Sequence, residues 1–383
     1  MGKRKVLFIT ERRADYSRLK PIMKLVQESP HLQMQLVVTG MHLLKKFGET
    51  KKVIIKDGFK IDQIVQMFEQ NDKDDGAAMV KGMGKALIAF SEVFPKLKPD
   101  IIFSGFDIGA NFAAAITGMH INAIVAHIQG GEVSGTVDEV IRHGLTKFAH
   151  IHFAATEQSK KRIIKLGEDP KYVFNVGSPS LDTIHNIDYP SKKEMADKYD
   201  FDPEKPLIIV LQHPVTTEVD QVEFQIKQTI DAVSQFNKKY NTQALAVYSN
   251  NDAGGKKIVS YIEKSGIKSY PHIPYEDFLR LMNVASALVG NSSAGIHEAP
   301  SMKLPTVNIG TREQFREKGV NTLDVDYDKK QIFNAIERCI FDKKFIKKVQ
   351  QGKNPYDGGN TAEKVVKILE TIKLPPIQKV ITY

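Results

Sequence analysis

Two adjacent serines follow one of the apolar strand patterns of this sequence, and a glutamate comes shortly after them. The run Ala287–Gly290 is apolar, Asn291, Ser292 and Ser293 come next, and a helical pattern that contains Glu298 follows. Backbone N–H groups at a helix start, together with two hydroxyls, would bind a phosphate without a Walker lysine. Glu298 would repel a phosphate placed against it, so we expect it to accept hydrogen bonds from neutral hydroxyls of the same ligand. Phosphates beside a vicinal diol describe a nucleoside diphosphate, which is the predicted ligand.

Arginines follow two other strand patterns and would bind the same anion. Arg12 and Arg13 come after the first strand pattern, just before a helix that we predict to begin near Asp15–Ser17. Arg312 and Arg316 come after the strand pattern that follows Glu298. A guanidinium beside the N–H groups of a helix start makes an anion site. The alternative for Arg12 and Arg13 is that they are solvated turn residues.

A carboxylate and closely spaced glycines follow two further strand patterns. Asp107 comes after Asp100–Gly105, and Gln129, Gly130, Gly131 and Glu132 come after Ala123–Ile128. Glycine, without a Cβ, lets a ligand approach the backbone closely. Consecutive strands that end in arginine, aspartate and Gly-Gly-Glu are hard to explain as surface decoration, so they indicate a site.

A predicted helix after these glycines carries two pairs of oppositely charged residues. Its first residues are Asp138 and Glu139, and Arg142 and His143 lie four positions after each of them. Such i, i+4 neighbours face each other on a helix, and surface ion pairing with compensation of the helix dipole is the alternative to a functional role.

Histidines occur at three points of interest. His213 ends a strand pattern before a Pro and two threonines, and it is either a capping or core residue or a proton carrier at the site. His150 and His152 lie on one face of a strand, but no third ligand is near them in sequence, so we interpret them as structural. We predict no metal and no cofactor, because guanidinium groups and backbone donors can supply the positive charge.

The elements that must position these residues are parallel strands alternating with helices. The strand patterns are apolar on both faces, as in sheets covered by helices on two sides. The helical pattern Asp75–Lys98 carries Met79, Met83, Leu87, Phe90, Phe94 and Leu97 at helical spacing, which indicates core packing. The predicted fold class is α/β, with two Rossmann-like doubly wound domains and the ligand in the interdomain cleft. The predicted strands are 5–10, 35–40, 100–105, 123–128, 151–156, 207–212, 244–250, 267–273, 287–292 and 306–311.

The run Ser178–Pro206 holds four prolines and many charges, and it predicts the connection between the domains. We therefore place an N-terminal domain at 1–180 and a C-terminal, nucleotide-binding domain at 181–365. The last helical pattern, within 361–374, could pack on either domain, and residues 366–383 are expected to pack back on the first.

Composition excludes several classes of protein. The chain has 383 residues and a formal net charge of +9, but its lysines are scattered, which favours a small-anion site over nucleic-acid binding. No stretch approaches the roughly 20 apolar residues of a membrane-spanning helix, and the first apolar run is too short for a signal peptide. Cys339 is the only cysteine, which suits a reducing compartment. We predict a cytoplasmic protein that binds neither nucleic acid nor membranes.

These residues, in this order, resemble the UDP-N-acetylglucosamine 2-epimerase family, which has a two-domain, glycosyltransferase-B-like fold. The resemblance covers essentially the whole chain and is greatest to the hydrolysing branch that opens sialic-acid and legionaminic-acid biosynthesis. The blocks that carry it are RADYSRLKPIM, VVTGMHL, HIQGGEVSGTVDEVIRHGLTKFAHIHF, LQHPVTTE, GNSSAGIHE and VNIGTRE.

The resemblance implies that Asp107 and Asp138 are catalytic carboxylates and that His213 is the histidine of the cleft. It implies that the nucleotide is held by Arg13, Ser292, Ser293, Glu298 and Arg312 or Arg316. Together with the positions after the strands, this gives one predicted set of substrate-binding residues. The set is Arg13, Gln129, Gly131, Glu132, Arg142, His143, Asn291, Ser292, Ser293, Glu298, Arg312 and Arg316. A homodimer or homotetramer is the implied assembly.

Two residues depart from the family pattern. The family commonly has arginine directly after the aspartate of the fourth strand, where this chain has Ile108, so one expected cation is missing. Many members have a carboxylate where Gln129 stands, and glutamine there favours the sialate- and legionaminate-like branch. Gln129 cannot be an acid or base, and Glu132 is the nearby carboxylate that could compensate.

The implied reaction removes the nucleoside diphosphate, passes through a 2-acetamidoglucal and adds water, giving the free manno-configured sugar. The sequence leaves open UDP or GDP, and N-acetylglucosamine or a 2,4-diacetamido sugar. The alternatives are a retaining glycosyltransferase of the same fold and a catalytically silent nucleotide-sugar sensor.

Overall fold

The structure is a computed structural model that describes residues 2–73, 75–249 and 254–383. These residues divide into two compact units. Unit 1 contains residues up to 132, residues 138–182 and residues 358–383, and unit 2 contains residues 133–137 and 183–357. The chain therefore passes between the units more than once.

Each unit is built on one parallel sheet. The sheet of unit 1 has the order β3-β2-β1-β4-β5-β6-β7, and that of unit 2 has the order β10-β9-β8-β11-β12-β13. All recorded pairings are parallel. The strands are β1 Arg4–Thr10, β2 Leu32–Thr39, β3 Gln63–Val65, β4 Ile101–Gly105, β5 Ile124–Ile128, β6 Ile151–Ala154, β7 Val173–Asn175, β8 Leu207–Leu211, β9 Gln243–Val247, β10 Lys268–Tyr270, β11 Ala287–Gly290, β12 Thr306–Ile309 and β13 Thr322–Val325.

Helices connect the strands and cover the sheets. They are α1 Arg13–Glu28, α2 Lys51–Lys56, α3 Gly76–Leu97, α4 Gly109–His120, α5 Asp138–Phe148, α6 Glu157–Lys165, α7 Ser180–Asn186, α8 Lys192–Tyr199, α9 Val222–Tyr240, α10 Gly255–Lys264, α11 Tyr275–Val284, α12 Ala294–His297, α13 Lys329–Phe341, α14 Lys343–Gln351 and α15 Thr361–Thr371. The predicted fold class, α/β with two doubly wound parallel sheets, is confirmed.

Several predicted boundaries differ from the observed ones. The three strands β3, β7 and β13 were not predicted, because they have only three or four residues and lack a continuous apolar run. The strand predicted at 267–273 is shortened to β10, because Pro271 has no N–H to donate to a neighbour. Asn250, the last residue of the strand predicted at 244–250, lies outside the described residues.

The cores agree with the helical patterns of the sequence, with one exception. Helix α3 buries Gly82, Ala86, Phe90 and Phe94, but Met79 in its first turn is 38% exposed and is not a core residue. Helix α15 lies in unit 1, where it packs on α1 through a cluster that includes Val365 and Leu369. No helix among the described residues is both long enough and apolar enough to span a bilayer.

His42, just after β2, is a fully buried histidine in unit 1. Its Nε2 lies 2.9 Å from Thr10 Oγ1, and its Nδ1 lies 2.6 Å from Thr50 Oγ1. Burial, and after it the charge of Arg13, lowers the pKa of His42 to about 3. The imidazole is therefore neutral in the folded protein at neutral pH.

This histidine makes stability depend on pH. Because the unfolded chain binds a proton at His42 near pH 6.5 and the folded chain does not, the free energy of unfolding falls as pH drops below about 6.5, at roughly 1.4 kcal/mol per pH unit. We expect urea unfolding of His42→Gln to be less pH-dependent by that slope. His120→Gln, at an exposed position of α4, is the control and should keep the wild-type slope. Equal slopes in His42→Gln and wild type would contradict the prediction.

Candidate functional site

Four of the predicted site residues, two in each unit, follow the strands between which the strand order reverses. In unit 1 the reversal falls between β1 and β4, and in unit 2 it falls between β8 and β11. Open parallel sheets bind ligands just outside the carboxyl ends of the strands at such a point. Arg13 and Asp107 follow β1 and β4, and His213 and Ser292 follow β8 and β11.

In unit 1, Asp107 is held by the guanidinium of Arg142. Nη1 of Arg142 also donates to the carbonyl of Glu132 over 3.1 Å and to Oε2 of Glu139 over 3.2 Å. The Arg142 side chain is 2% exposed and that of Asp107 is 26% exposed, so the cation is buried while the carboxylate reaches solvent. Ile108, the departure from the family pattern, is buried, and Arg142 supplies a cation beside Asp107 from α5 instead.

Helix α5 begins at Asp138, as predicted, and the predicted pair of Glu139 and His143 is observed. His143 Nε2 lies 2.9 Å from Glu139 Oε1. Arg142 pairs with Glu139 at i, i+3 and with Asp107. Asp138 is half-buried in the first turn of the helix. The helix therefore places Asp138, Arg142 and His143 within two turns.

The loop after β5 is compact, and two of its glycines lie close to backbone atoms of other segments. Gln129 Nε2 donates to Glu132 Oε1 over 3.0 Å, and both side chains are buried. Gly131 has φ +75°, and a Cβ there would lie 2.4 Å from the carbonyl oxygen of Ser159. A Cβ on Gly135 would lie 2.1 Å from the carbonyl oxygen of Thr311. Backbone atoms of other segments therefore lie close to both glycines, and neither position would accept a side chain without a shift.

Arg13 is the first residue of α1, so the helix begins two residues before the predicted start. Asp15 fixes this turn by accepting backbone N–H bonds from Glu11, Arg12 and Tyr16 at 2.8–2.9 Å. Burial lowers the pKa of Arg13. The ordinary pKa of arginine lies so far above neutrality that Arg13 remains a cation.

Glu11 is a site residue that sequence reasoning missed. It is fully buried, its Oε2 accepts from the Ala110 N–H over 2.9 Å, and its Oε1 pairs with Arg12 over 3.0 Å. It thereby ties the turn after β1 to the start of α4, two residues beyond Ile108. Its position directly after a strand pattern was the signal that could have identified it.

In unit 2, the backbone of His213 is hydrogen-bonded to the side-chain amide of Asn291. The N–H of His213 donates to Asn291 Oδ1 over 2.7 Å, and Asn291 Nδ2 donates to the His213 carbonyl over 2.9 Å. Burial, and after it the charge of Arg312, lowers the pKa of His213 to about 3. The folded protein without ligand therefore holds a neutral imidazole at neutral pH.

The two arginines after β12 share one buried carboxylate. Arg312 Nη1 contacts Glu313 Oε1 at 2.6 Å, and it also donates to the Asn291 carbonyl over 3.2 Å. Arg316 Nε donates to the second oxygen of Glu313. Glu313, which was not predicted as a site residue, thus aligns both guanidinium groups, and Arg312 links them to the residue that holds His213.

The predicted phosphate cradle differs in its geometry. Helix α12 has only four residues, so it has too few aligned peptide dipoles for the expected helix-start anion site. The N–H groups of Gly295, Ile296 and His297 already donate to the carbonyls of Ser292 and Ser293. Glu298 caps the end of this single turn and is 2% exposed. The backbone of this turn therefore offers fewer free N–H groups than the sequence predicted.

His150 and His152 have protein partners, in keeping with a structural role. The Val125 N–H donates to His150 Nδ1 over 3.1 Å, so His150 Nε2 donates to the Ile377 carbonyl over 3.0 Å. His152 Nε2 lies 3.3 Å from Glu168 Oε2. Among the described residues, no group of three or more histidine, cysteine, aspartate or glutamate side chains could hold a metal ion.

Comparisons with known proteins bear on what this arrangement does. The model of the UDP-N-acetylglucosamine 2-epimerase family matches residues 24–370. The chain is 35% identical to the UDP-N,N'-diacetylbacillosamine 2-epimerase (hydrolyzing) of Legionella pneumophila, over 97% of both chains. It is 33% identical to the UDP-N-acetylglucosamine 2-epimerase of Neisseria meningitidis, over 97% of this chain and 96% of that one.

Solved structures share the fold. The UDP-GlcNAc 2-epimerase from Neisseria meningitidis bound to UDP-GlcNAc gives a TM-score of 0.81 at 18% identity, with 95% of this chain and 99% of that chain covered. A Listeria monocytogenes protein described as a UDP-N-acetylglucosamine 2-epimerase gives 0.80 at 18% identity, over 98% of this chain and 99% of that one.

Proposed function

This chain belongs to the UDP-N-acetylglucosamine 2-epimerase family and is a hydrolysing nucleotide-sugar 2-epimerase, and from that premise we propose how its residues divide the reaction. The observation that carries the proposal is the Asp107 carboxylate held against the buried guanidinium of Arg142 at the reversal of the first sheet. It gives a solvent-reaching carboxylate a fixed direction, which a proton transfer at a sugar carbon requires.

Departure of the diphosphate leads the reaction. The C2 hydrogen of a pyranose is not acidified by a neighbouring carbonyl, so a carboxylate alone cannot remove it at a useful rate. The C1–O bond breaks with its electron pair leaving on the diphosphate, and the positive charge that develops at C1 loosens the C2 proton. Loss of that proton gives a 2-acetamidoglucal. Water then adds its oxygen to C1 while C2 receives a proton on the opposite face, which gives the free manno-configured sugar.

The residues of unit 2 act on the nucleotide. Arg312 and Arg316, aligned by Glu313, stabilise the leaving diphosphate, and electrostatic stabilisation of this kind is usually the largest contribution to catalysis. Asn291, Ser292, Ser293 and Glu298 bind the nucleotide. His213 enters as a neutral hydrogen-bonding group, and the negative diphosphate beside it would then favour its protonation.

The residues of unit 1 act on the sugar. Asp107 and Asp138 handle the C2 proton and the proton of the attacking water, and each positioned transfer contributes roughly 10²–10⁴-fold. Arg13 adds positive charge for the diphosphate. Gln129, Gly131, Glu132, Arg142 and His143 shape the loop and helix that hold the two carboxylates. The glycosyltransferase and sensor alternatives are not favoured, and Arg142 supplies a cation beside Asp107 in a chain that has Ile108 where the family commonly has arginine.

We place this enzyme in the branch that supplies sialic- or legionaminic-acid-type sugars, in the cytoplasm, as a homodimer or homotetramer. Relatives at 32–35% identity include enzymes named for diacetylbacillosamine and for N-acetylglucosamine and a polysialic acid biosynthesis protein. Both sugar classes are therefore candidate substrates. Light scattering on the purified protein tests the assembly.

The test of the reaction is product analysis by NMR in D₂O, with UDP- and GDP-linked forms of both sugar classes supplied separately. We expect one nucleotide sugar to give free nucleoside diphosphate and a manno-configured sugar with deuterium at C2, in the absence of any acceptor. An unlabelled C2 would overturn the elimination mechanism. Release of a sugar with unchanged configuration would overturn the epimerisation.

A further inference from the structure

His127 is a fully buried histidine that the proposed reaction does not use. It lies in β5, one residue before the end of the strand, and its side chain is 0% exposed. Its Nε2 lies 3.1 Å from the carbonyl oxygen of Phe106. Phe106 directly precedes Asp107, so this histidine contacts the peptide unit that leads into the proposed catalytic carboxylate.

The direction of this hydrogen bond follows from chemistry. A carbonyl oxygen can only accept, so Nε2 of His127 carries the proton and donates it. Burial, and after it the charge of His152, lowers the pKa of His127 to about 3. The imidazole is therefore neutral, and its single N–H is committed to Phe106. The other nitrogen, Nδ1, is buried and has no hydrogen-bond partner among the described residues.

The backbone conformation of Phe106 is unfavourable, so contacts from the surrounding structure must stabilise it. Its φ is +65°, a left-handed conformation that a bulky residue with a Cβ adopts only where the surrounding structure enforces it. The Phe106 N–H donates to the Ile128 carbonyl over 3.2 Å, and His127 holds the carbonyl of the same residue. The two bonds come from adjacent residues of β5 and fix the turn at both of its polar backbone atoms.

We propose that His127 is a positioning residue, which fixes the Phe106–Asp107 peptide so that the Asp107 carboxylate faces the Arg142 guanidinium. This inference rests on the proposed function, because it matters to turnover only if Asp107 acts on the sugar. His127 touches neither substrate nor reacting atoms. Its effect is confined to the direction of one side chain.

Two variants separate the hydrogen bond from the size of the side chain. In His127→Gln the side-chain amide nitrogen can reach the place of Nε2 and donate to Phe106. In His127→Asn the amide nitrogen reaches only the place of Nδ1. We expect His127→Asn to lower kcat roughly 10²-fold, as for a reacting group displaced by about 1 Å, with KM and UDP affinity nearly unchanged. We expect His127→Gln to restore most of that loss. Equal kcat in the two variants would overturn the proposal.

A double-substitution cycle distinguishes failure of this inference from failure of the proposed function. If His127 acts through Asp107, His127→Asn should cost nothing further in an Asp107→Asn background, because the carboxylate that it directs is gone. Full additivity would overturn the positioning role. If Asp107→Asn alone leaves kcat unchanged, the proposed function fails. If Asp107→Asn is impaired and His127→Asn is not, only this inference fails.

A measurement on the wild-type enzyme covers the case in which a variant does not fold. Nitrogen NMR of histidine-labelled protein, with the resonance of residue 127 identified by its loss in His127→Gln or by triple-resonance assignment, reports the tautomer directly. We expect a neutral ring protonated at Nε2 at neutral pH. A ring protonated at Nδ1, or a charged ring, would overturn the proposal.

Discussion

Asp107→Asn is expected to lower kcat by roughly 10³-fold, in the middle of the range for a lost proton-transfer group. Asparagine has the shape of aspartate but cannot accept a proton, so the substitution removes the chemistry while nearly preserving the packing. Binding of the UDP product should change little, because most of the predicted nucleotide ligands lie in unit 2 and Asp107 is not one of them. Initial rates of nucleotide release give kcat and KM, and calorimetry with UDP gives the affinity.

The control for this prediction is Asp197→Asn, at an exposed position of α8, which should behave as wild type. Asp107→Asn should also lose exchange of deuterium into C2 in parallel with nucleotide release. A variant that keeps its kcat and shows only a raised KM would mean that Asp107 binds substrate rather than moving a proton.

Arg142→Met is expected to be destabilised by about 3 kcal/mol, because several acceptors around a buried guanidinium lose their donor. The guanidinium is 2% exposed and serves Asp107, Glu139 and the Glu132 carbonyl together. Methionine fills much of the volume but leaves these acceptors without their donor. Urea unfolding followed by circular dichroism measures the loss, and kcat should fall by roughly 10²-fold, as for a reacting group displaced by about 1 Å, because Asp107 loses its direction.

Arg142→Lys separates charge from geometry. Lysine keeps the positive charge but lacks the planar fork that reaches several acceptors at once, so stability should recover in part while kcat stays low. Arg338→Met is the matched control, since Arg338 is 57% exposed and lies 4.0 Å from Asp342, a pair worth roughly 0–1 kcal/mol. Equal unfolding midpoints for Arg142→Met and Arg338→Met would contradict the importance given to the buried guanidinium.

The positions of the candidate residues were predictable because parallel strands end at a common edge. Arg13, Asp107, His213 and Ser292 were selected as residues that follow strand patterns, and the structure places each of them after a central strand of its sheet. What the sequence did not reveal was how these residues are held. The Asp107–Arg142 contact joins residues 35 positions apart, and no local pattern specifies such a pair.

The error at α12 has a physical cause as well. The apolar run and the small residues after it predicted a helix with free N–H groups, but the helix ends at His297. Pro300 disfavours helical backbone at the residue before it, which limits how far the turn can continue. Glu11 and Glu313 were missed for a different reason. In the sequence Glu313 looks like a surface glutamate, and only the position of Glu11 directly after a strand pattern distinguished it.

The composition of unit 1 has a consequence for synthesis on the ribosome. Its core is completed by α15, whose Val365 and Leu369 pack with α1 and whose first N–H groups donate to Asp182. Domains usually become folded in the order in which they emerge during translation. Here residues 183–357 emerge before α15 does. Unit 2 can therefore form its core before the last helix of unit 1 has been synthesised. A nascent chain cut at residue 357 and extended by a linker that spans the ribosomal exit tunnel should carry a protease-resistant second unit and a protease-sensitive first one.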